Sequence, residues 1–167
     1  MFSFFKKKAT YHSASSVEGD HFIEQLCEDL KVAKEYMSFT LPPEKIEFIF
    51  ASLSYLICWI LIKGLAKIQR IDAQGVKRMC NNVYDLQHHL TGVIPFSENS
   101  FNSVRNYYSL LNVTNPEHFL ELVKNSKANY TVDEYFALIE HLKEITERKM
   151  DKEMDTLFDN IKQFLNN

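Results

Sequence analysis

The chain has 167 residues, of which 46% are hydrophobic and 25% charged, and its formal net charge is −3. It is long enough to bury one core, too apolar to stay disordered, and lacks the basic excess expected of a nucleic-acid binder. Four glycines and four prolines are too few for a sandwich or barrel, which needs a turn every roughly 8–12 residues, so the composition predicts long helices.

Residues 1 to 18 read as a flexible leader, and 19 to 167 as a single helical-bundle domain. The leader places Lys6, Lys7 and Lys8 after Phe2, Phe4 and Phe5, the reverse of the order in a secretory signal. Those three lysines are the one place where contact with an anionic membrane surface is considered, each contributing about 1 kcal/mol there. Stable attachment takes a second signal, so a solvated terminus is the first reading.

The first helix is expected to begin after Gly19 with Asp20 as its N-cap. Phe22, Ile23, Leu26, Leu30, Ala33 and Met37 recur at steps of three and four along it, which makes one apolar stripe. Thr40-Leu-Pro-Pro43 ends that helix, because proline cannot continue one, and the same prolines suit the first turn of the next.

From Phe48 to Ile62 fifteen residues pass without a charge. A helix apolar on every side must be surrounded by protein or by lipid. The run is shorter than the roughly 18–25 residues a bilayer span needs, so it is expected to be the central buried helix of a soluble bundle, with Trp59 in the core. The rival is a small single-pass membrane-anchored protein using residues 48–62 as its span.

Asp72 is the expected cap of a third helix, in which Val76, Met79, Cys80, Val83, Leu86, Leu90 and Val93 share a face. Asn81, Asn82, Gln87 and His88 fall mainly on its other side, and Pro95 ends it. A fourth helix starts at Ser97 or Asn99 and carries Phe101, Val104, Tyr108 and Leu111. Asn115-Pro-Glu117 reads as the opening of a short fifth. Thr131-Val-Asp-Glu134 is a capping box, in which hydroxyl and carboxylate each satisfy an amide the helix leaves orphaned. The helix behind it carries Tyr135, Leu138, Ile139, Leu142 and Ile145, and a last one carries Met150, Met154, Leu157, Ile161 and Phe164. No segment alternates at period two for long enough to be a strand. The fold class is therefore all-α, with six or seven helices.

Chemistry-bearing patterns are scarce. His88 and His89 are adjacent and diverge on a helix, while His12, His21, His118 and His141 have no partner at ligand spacing, so scattered surface histidines are expected rather than a metal site. Cys27, Cys58 and Cys80 show no C-x-x-C spacing and cannot all pair, which fits reduced thiols in a cytosolic protein. There is no G-x-S-x-G and no glycine-rich phosphate loop. The expectation is a protein that is not an enzyme, with no cofactor, nucleic acid or small-molecule substrate. Among the aromatics, Tyr107 beside Tyr108 and Tyr135 beside Phe136 cannot both face one way, leaving one of each pair for a neighbouring helix or another protein.

The third helix carries a familiar wording. Gly75, Val76, Lys77, Arg78, Met79, Cys80 and Asn82, then Leu86, Gln87, Leu90 and Thr91, follow a pattern found near the C-terminus of exocyst complex component 4. Arg105-Asn-Tyr-Tyr-Ser-Leu-Leu-Asn112 and Tyr130-Thr-Val-Asp-Glu-Tyr135, with Leu120 to Val123 before it, agree in the same order. The chain thus resembles that family from about residue 46 to 142. The resemblance implies an elongated antiparallel bundle of the tethering-complex rod type and a non-catalytic module of the exocyst. Its implied role is tethering secretory vesicles to the plasma membrane in exocytosis through contacts with other exocyst subunits. It implies a cytoplasmic location, peripheral at sites of secretion. Full subunits are several times longer and open with a coiled-coil region, so core assembly is not implied for this chain.

Overall fold

The structure, a computed structural model, describes residues 10–11, 20–93, 98–125 and 130–166. Within them lie seven α-helices: α1 (His21–Ser38), α2 (Pro43–Gly64), α3 (Ala73–Leu90), α4 (Glu98–Ser109), α5 (Pro116–Asn125), α6 (Val132–Ile145) and α7 (Asp151–Leu165). Short 3-10 turns follow α2 at Leu65–Lys67 and α4 at Leu110–Asn112. The all-α reading holds, with one addition. Residues Thr10–Tyr11 (β1), within the stretch 1–18, pair in parallel with Arg70–Ile71 (β2).

Helix starts follow local chemistry. The Asp72 carboxylate accepts from the Gly75 amide at 2.7 Å, and the Asn115 side chain accepts from the His118 amide at 3.0 Å. At α6 the Thr131 hydroxyl accepts from the Glu134 amide at 3.4 Å while the Glu134 carboxylate accepts from the Thr131 amide at 2.7 Å, completing the capping box. Each removes an amide that would otherwise be unsatisfied in the first turn. Asp20 precedes α1 as expected, but its carboxylate does not cap it. It accepts from the Asn82 side-chain amide of α3 at 2.7 Å, and the Asp20 backbone amide donates back to Asn82 Oδ1 at 2.8 Å. Asn82 is accordingly buried rather than turned to solvent. Helix α3 stops at Leu90, short of Val93; Pro95 and Ser97 lie outside the described residues.

Packing places α1 on α3, α3 on α4, α4 on α2 and α2 on α1, a ring of four helices. Helix α6 lies against β2 and both 3-10 turns, with α7 on α6 and α5 on α7. One core runs through both parts, from Ile23 and Cys27 through Val83 and Leu86 to Leu138, Met154 and Ile161. Helix α4 packs against both α3 and α2. Tyr107 and Tyr108 are both fully buried, because neighbours on different sides receive them. The Tyr107 hydroxyl donates to the Glu134 carbonyl at 2.9 Å and the Tyr108 hydroxyl to the Leu61 carbonyl at 2.8 Å. Tyr130 packs on Tyr107 with ring centroids 5.0 Å apart and on Tyr135 at 5.6 Å, so the four tyrosines form one aromatic knot. Phe136, by contrast, is half exposed and leans on Phe158 of α7.

Candidate interaction surface

Helix α2 overturns the expectation of a buried central helix. Its buried residues are Ile46, Phe50, Ser54 and Cys58, one every fourth position. Trp59, expected in the core, is 58% exposed, and Phe48 and Tyr55 are 74% and 66% exposed. Leu56, Ile60 and Ile49 stand out beside them. The reason is geometric. In a ring of four, α2 touches α4 on one side and α1 on the other, and its outer half faces no further helix among the described residues. At about 100° per residue, Phe48, Ser52, Tyr55 and Trp59 share one narrow outward arc, flanked by Ile49, Leu56 and Ile60.

The C-terminal end of α2 is fixed by polar contacts from other helices. The last carbonyls of a helix lack intrahelical partners. Tyr108 donates to that of Leu61, and the His141 ring meets that of Leu65 at 3.0 Å through Nε2. A carbonyl only accepts, so Nε2 carries the proton. Lys63 Nζ lies 2.9 Å from Glu134 Oε1. The N-terminal half is held by Ile46 and Phe50, with the Lys34 ammonium 5.6 Å from the Phe50 ring centre. Beside it a groove of about 560 Å³ opens between α1 and α2, with Lys34, Ser38 and Glu47 as the polar side chains of its wall. The Ser38 hydroxyl donates to the Glu35 carbonyl at 2.6 Å.

The remaining candidates resolve individually. Lys6, Lys7, Lys8 and His12 lie outside the described residues. His141 is a correction: it is buried in α6, where its Nδ1 stands 3.8 Å from Glu144 Oε2. His88 is exposed and stacks on Tyr84, and His89 meets His88 edge to face at 5.6 Å between ring centres. No group of three or more His, Cys, Asp or Glu able to hold a metal occurs among the described residues. All three cysteines are free thiols. Burial pushes the Cys58 thiol up to about 11 and raises Cys27 and Cys80 as well. Burial also raises Tyr107 and Tyr130 well above the usual phenol range. A buried Lys143 bridges Glu140 at 2.8 Å and Asp155 at 2.6 Å, tying α6 to α7. Lys143 thus ties α6 to α7, and Phe48, Tyr55 and Trp59 leave α2 with an exposed apolar face.

Sequence comparison supplies what the geometry does not. Human exocyst complex component 4 is 35% identical over 132 residues, 77% of this chain. This chain is similar to one part of exocyst complex component 4. The protein of that name from Dictyostelium discoideum is 30% identical over 138 residues, 83% of the chain, and that from Drosophila melanogaster 34% over 95 residues. The chain spans only 13% of the length of human exocyst complex component 4 and 12% of the Dictyostelium relative. No protein-family model matches it.

Proposed function

We propose that this chain is a non-catalytic module of the exocyst type, acting in exocytosis through protein–protein contacts. In this reading it associates with other exocyst subunits and takes part in tethering secretory vesicles to the plasma membrane. It works from the cytoplasm, peripherally at sites of secretion. The observation that supports this is the similarity to exocyst complex component 4 across 77% of the chain, on a helical fold. Lys6, Lys7 and Lys8 remain a proposed minor contact with anionic membrane.

Affinity recovery from secreting cells tests the reading. The tagged chain should bring down other exocyst subunits, and a Val83→Asp, Leu90→Asp double variant should not. Both positions are fully buried, and unpaired buried charges cost several kcal/mol. Recovery of no exocyst subunit by the folded wild-type chain would sink the proposal.

A second reading rests on α2. With its following turn it makes a 25-residue stretch, Pro43–Lys67, long and apolar enough to cross a bilayer, and only 22% of its most apolar window is buried. The charge-free run 48–62 is only the middle of that stretch. A span would have to abandon the contacts of Tyr108, His141 and Glu134 to the end of α2. Alkaline carbonate separates the readings: a peripheral module is released from membranes, and a spanning one stays.

A further inference from the structure

We propose that the open face of α2 is the contact between two copies of this chain, paired antiparallel about a twofold axis.

The first argument is area. Taking about 200 Å² for one fully exposed large side chain, the exposures of Phe48, Tyr55, Trp59, Leu56, Ile60 and Ile49 amount to roughly 650 Å² of apolar surface on one helix. The largest apolar patch on an ordinary monomer is roughly 300–600 Å², while each partner in a stable interface contributes about 800 Å². The face is large for a monomer and sufficient for the centre of a dimer contact.

The second argument is self-complementarity. A twofold contact sets the same patch against itself, so a charged patch would repel its copy. From residue 48 to 62 there is no charge to do so. Phe48, Ser52, Tyr55 and Trp59 are spaced by four, three and four, the spacing of a seam in which knobs of one helix fill holes of another. Ser52 is the small residue in that row, a gap bordered by three rings. With the axis between Ser52 and Tyr55, Phe48 faces Trp59 of the second copy, and Tyr55 enters the gap over Ser52 of the second copy.

The third argument is charge at the ends, and it sets the polarity. Glu44 and Glu47, with Lys45 between them, close the N-terminal end of the run, and Lys63 and Lys67 close the other. In the helix's own residues the first end is therefore net acidic and the second net basic, with Lys63 also facing the Glu134 carboxylate at 2.9 Å. An antiparallel copy brings opposite signs together at both ends, whereas a parallel copy sets like against like.

Sedimentation of the 167-residue chain across a micromolar concentration series reads the association directly. The expected result is a particle of twice the 19.6 kDa chain mass. Tyr55→Lys should weaken association at least ~30-fold, the scale of losing one central hot-spot contact, with an unchanged helical spectrum and melting temperature in the dilute monomer. Trp59, the single tryptophan, should shift to the blue as concentration rises. Glu44→Lys with Glu47→Lys should also weaken pairing, and added salt should relieve that loss. A monomer at all concentrations overturns the proposal. So does a monomer that floats with neutral phosphatidylcholine vesicles and turns its Trp59 emission blue only there, since lipid is then the occupant. A dimer indifferent to Tyr55→Lys also overturns it, because the contact then lies elsewhere.

Discussion

The Tyr108 hydroxyl of α4 donates to the Leu61 carbonyl of α2 at 2.8 Å, joining two helices 47 positions apart in the chain. The tyrosine is fully buried, and it satisfies one of the carbonyls that the end of α2 cannot satisfy itself. Tyr108→Phe keeps the ring and removes the donor. It should destabilise the fold by about 1–2 kcal/mol, read as a lower urea midpoint at unchanged slope.

The orientation of α2 is tested by two substitutions on opposite faces. Phe50→Ala empties a core site and should cost about 3–5 kcal/mol. Trp59→Ala, on the open face, should stay within about 0.5 kcal/mol in dilute solution. Comparable losses at both positions would place Trp59 back inside.

The capping box predicts a local effect. Thr131→Ala removes the acceptor of the Glu134 amide and should cost about 1 kcal/mol. Hydrogen exchange in the first turn of α6 should quicken more than exchange in α3.

Burial separates His141 from the other histidines. His141→Ala leaves the Leu65 carbonyl without its donor and should cost about 1–3 kcal/mol. His88→Gln with His118→Gln, both exposed, should stay within about 0.5 kcal/mol. Thermal melts of the two variants suffice.

The Cys58 thiol predicts an alkaline limit. Burial raises it from 9.0 to about 11 in the folded chain, so between those values the unfolded state has lost a proton that the folded state keeps. Stability is therefore fully present below pH 9 and declines as pH rises toward 11. Near neutral pH a maleimide should label Cys58 only as the fold opens, and Cys58→Ala should flatten the alkaline slope.

What could be read in advance divides by distance along the chain. The starts of α3, α5 and α6 were legible because Asp72, Asn115 and Thr131 reach amides only three residues on. The stripes of α3, α6 and α7 were legible because their polar faces mark which side is out. Helix α2 has no polar face, so nothing in its own residues says that Phe50 turns inward and Trp59 outward; its neighbours α1 and α4 decide that. Asn82 and His141 were misread for the same reason. Their burial depends on Asp20 and on Leu65, 62 and 76 positions away. Tyr107 and Tyr108 were expected to point different ways, one of them toward a neighbouring helix or another protein, and it is neighbouring elements that receive both. Both are buried because α4 has helices on more than one side.

The Tyr108 and His141 hydrogen bonds and the Glu134 ion pair all reach one end of α2. Tyr108, His141 and Glu134 grip it between Leu61 and Leu65, while the half near Pro43 rests on apolar contacts and on α1. A force applied to the exposed aromatic row therefore acts on a lever with one fixed end. The Pro43 end is accordingly the one held by packing alone, against α1 and α4.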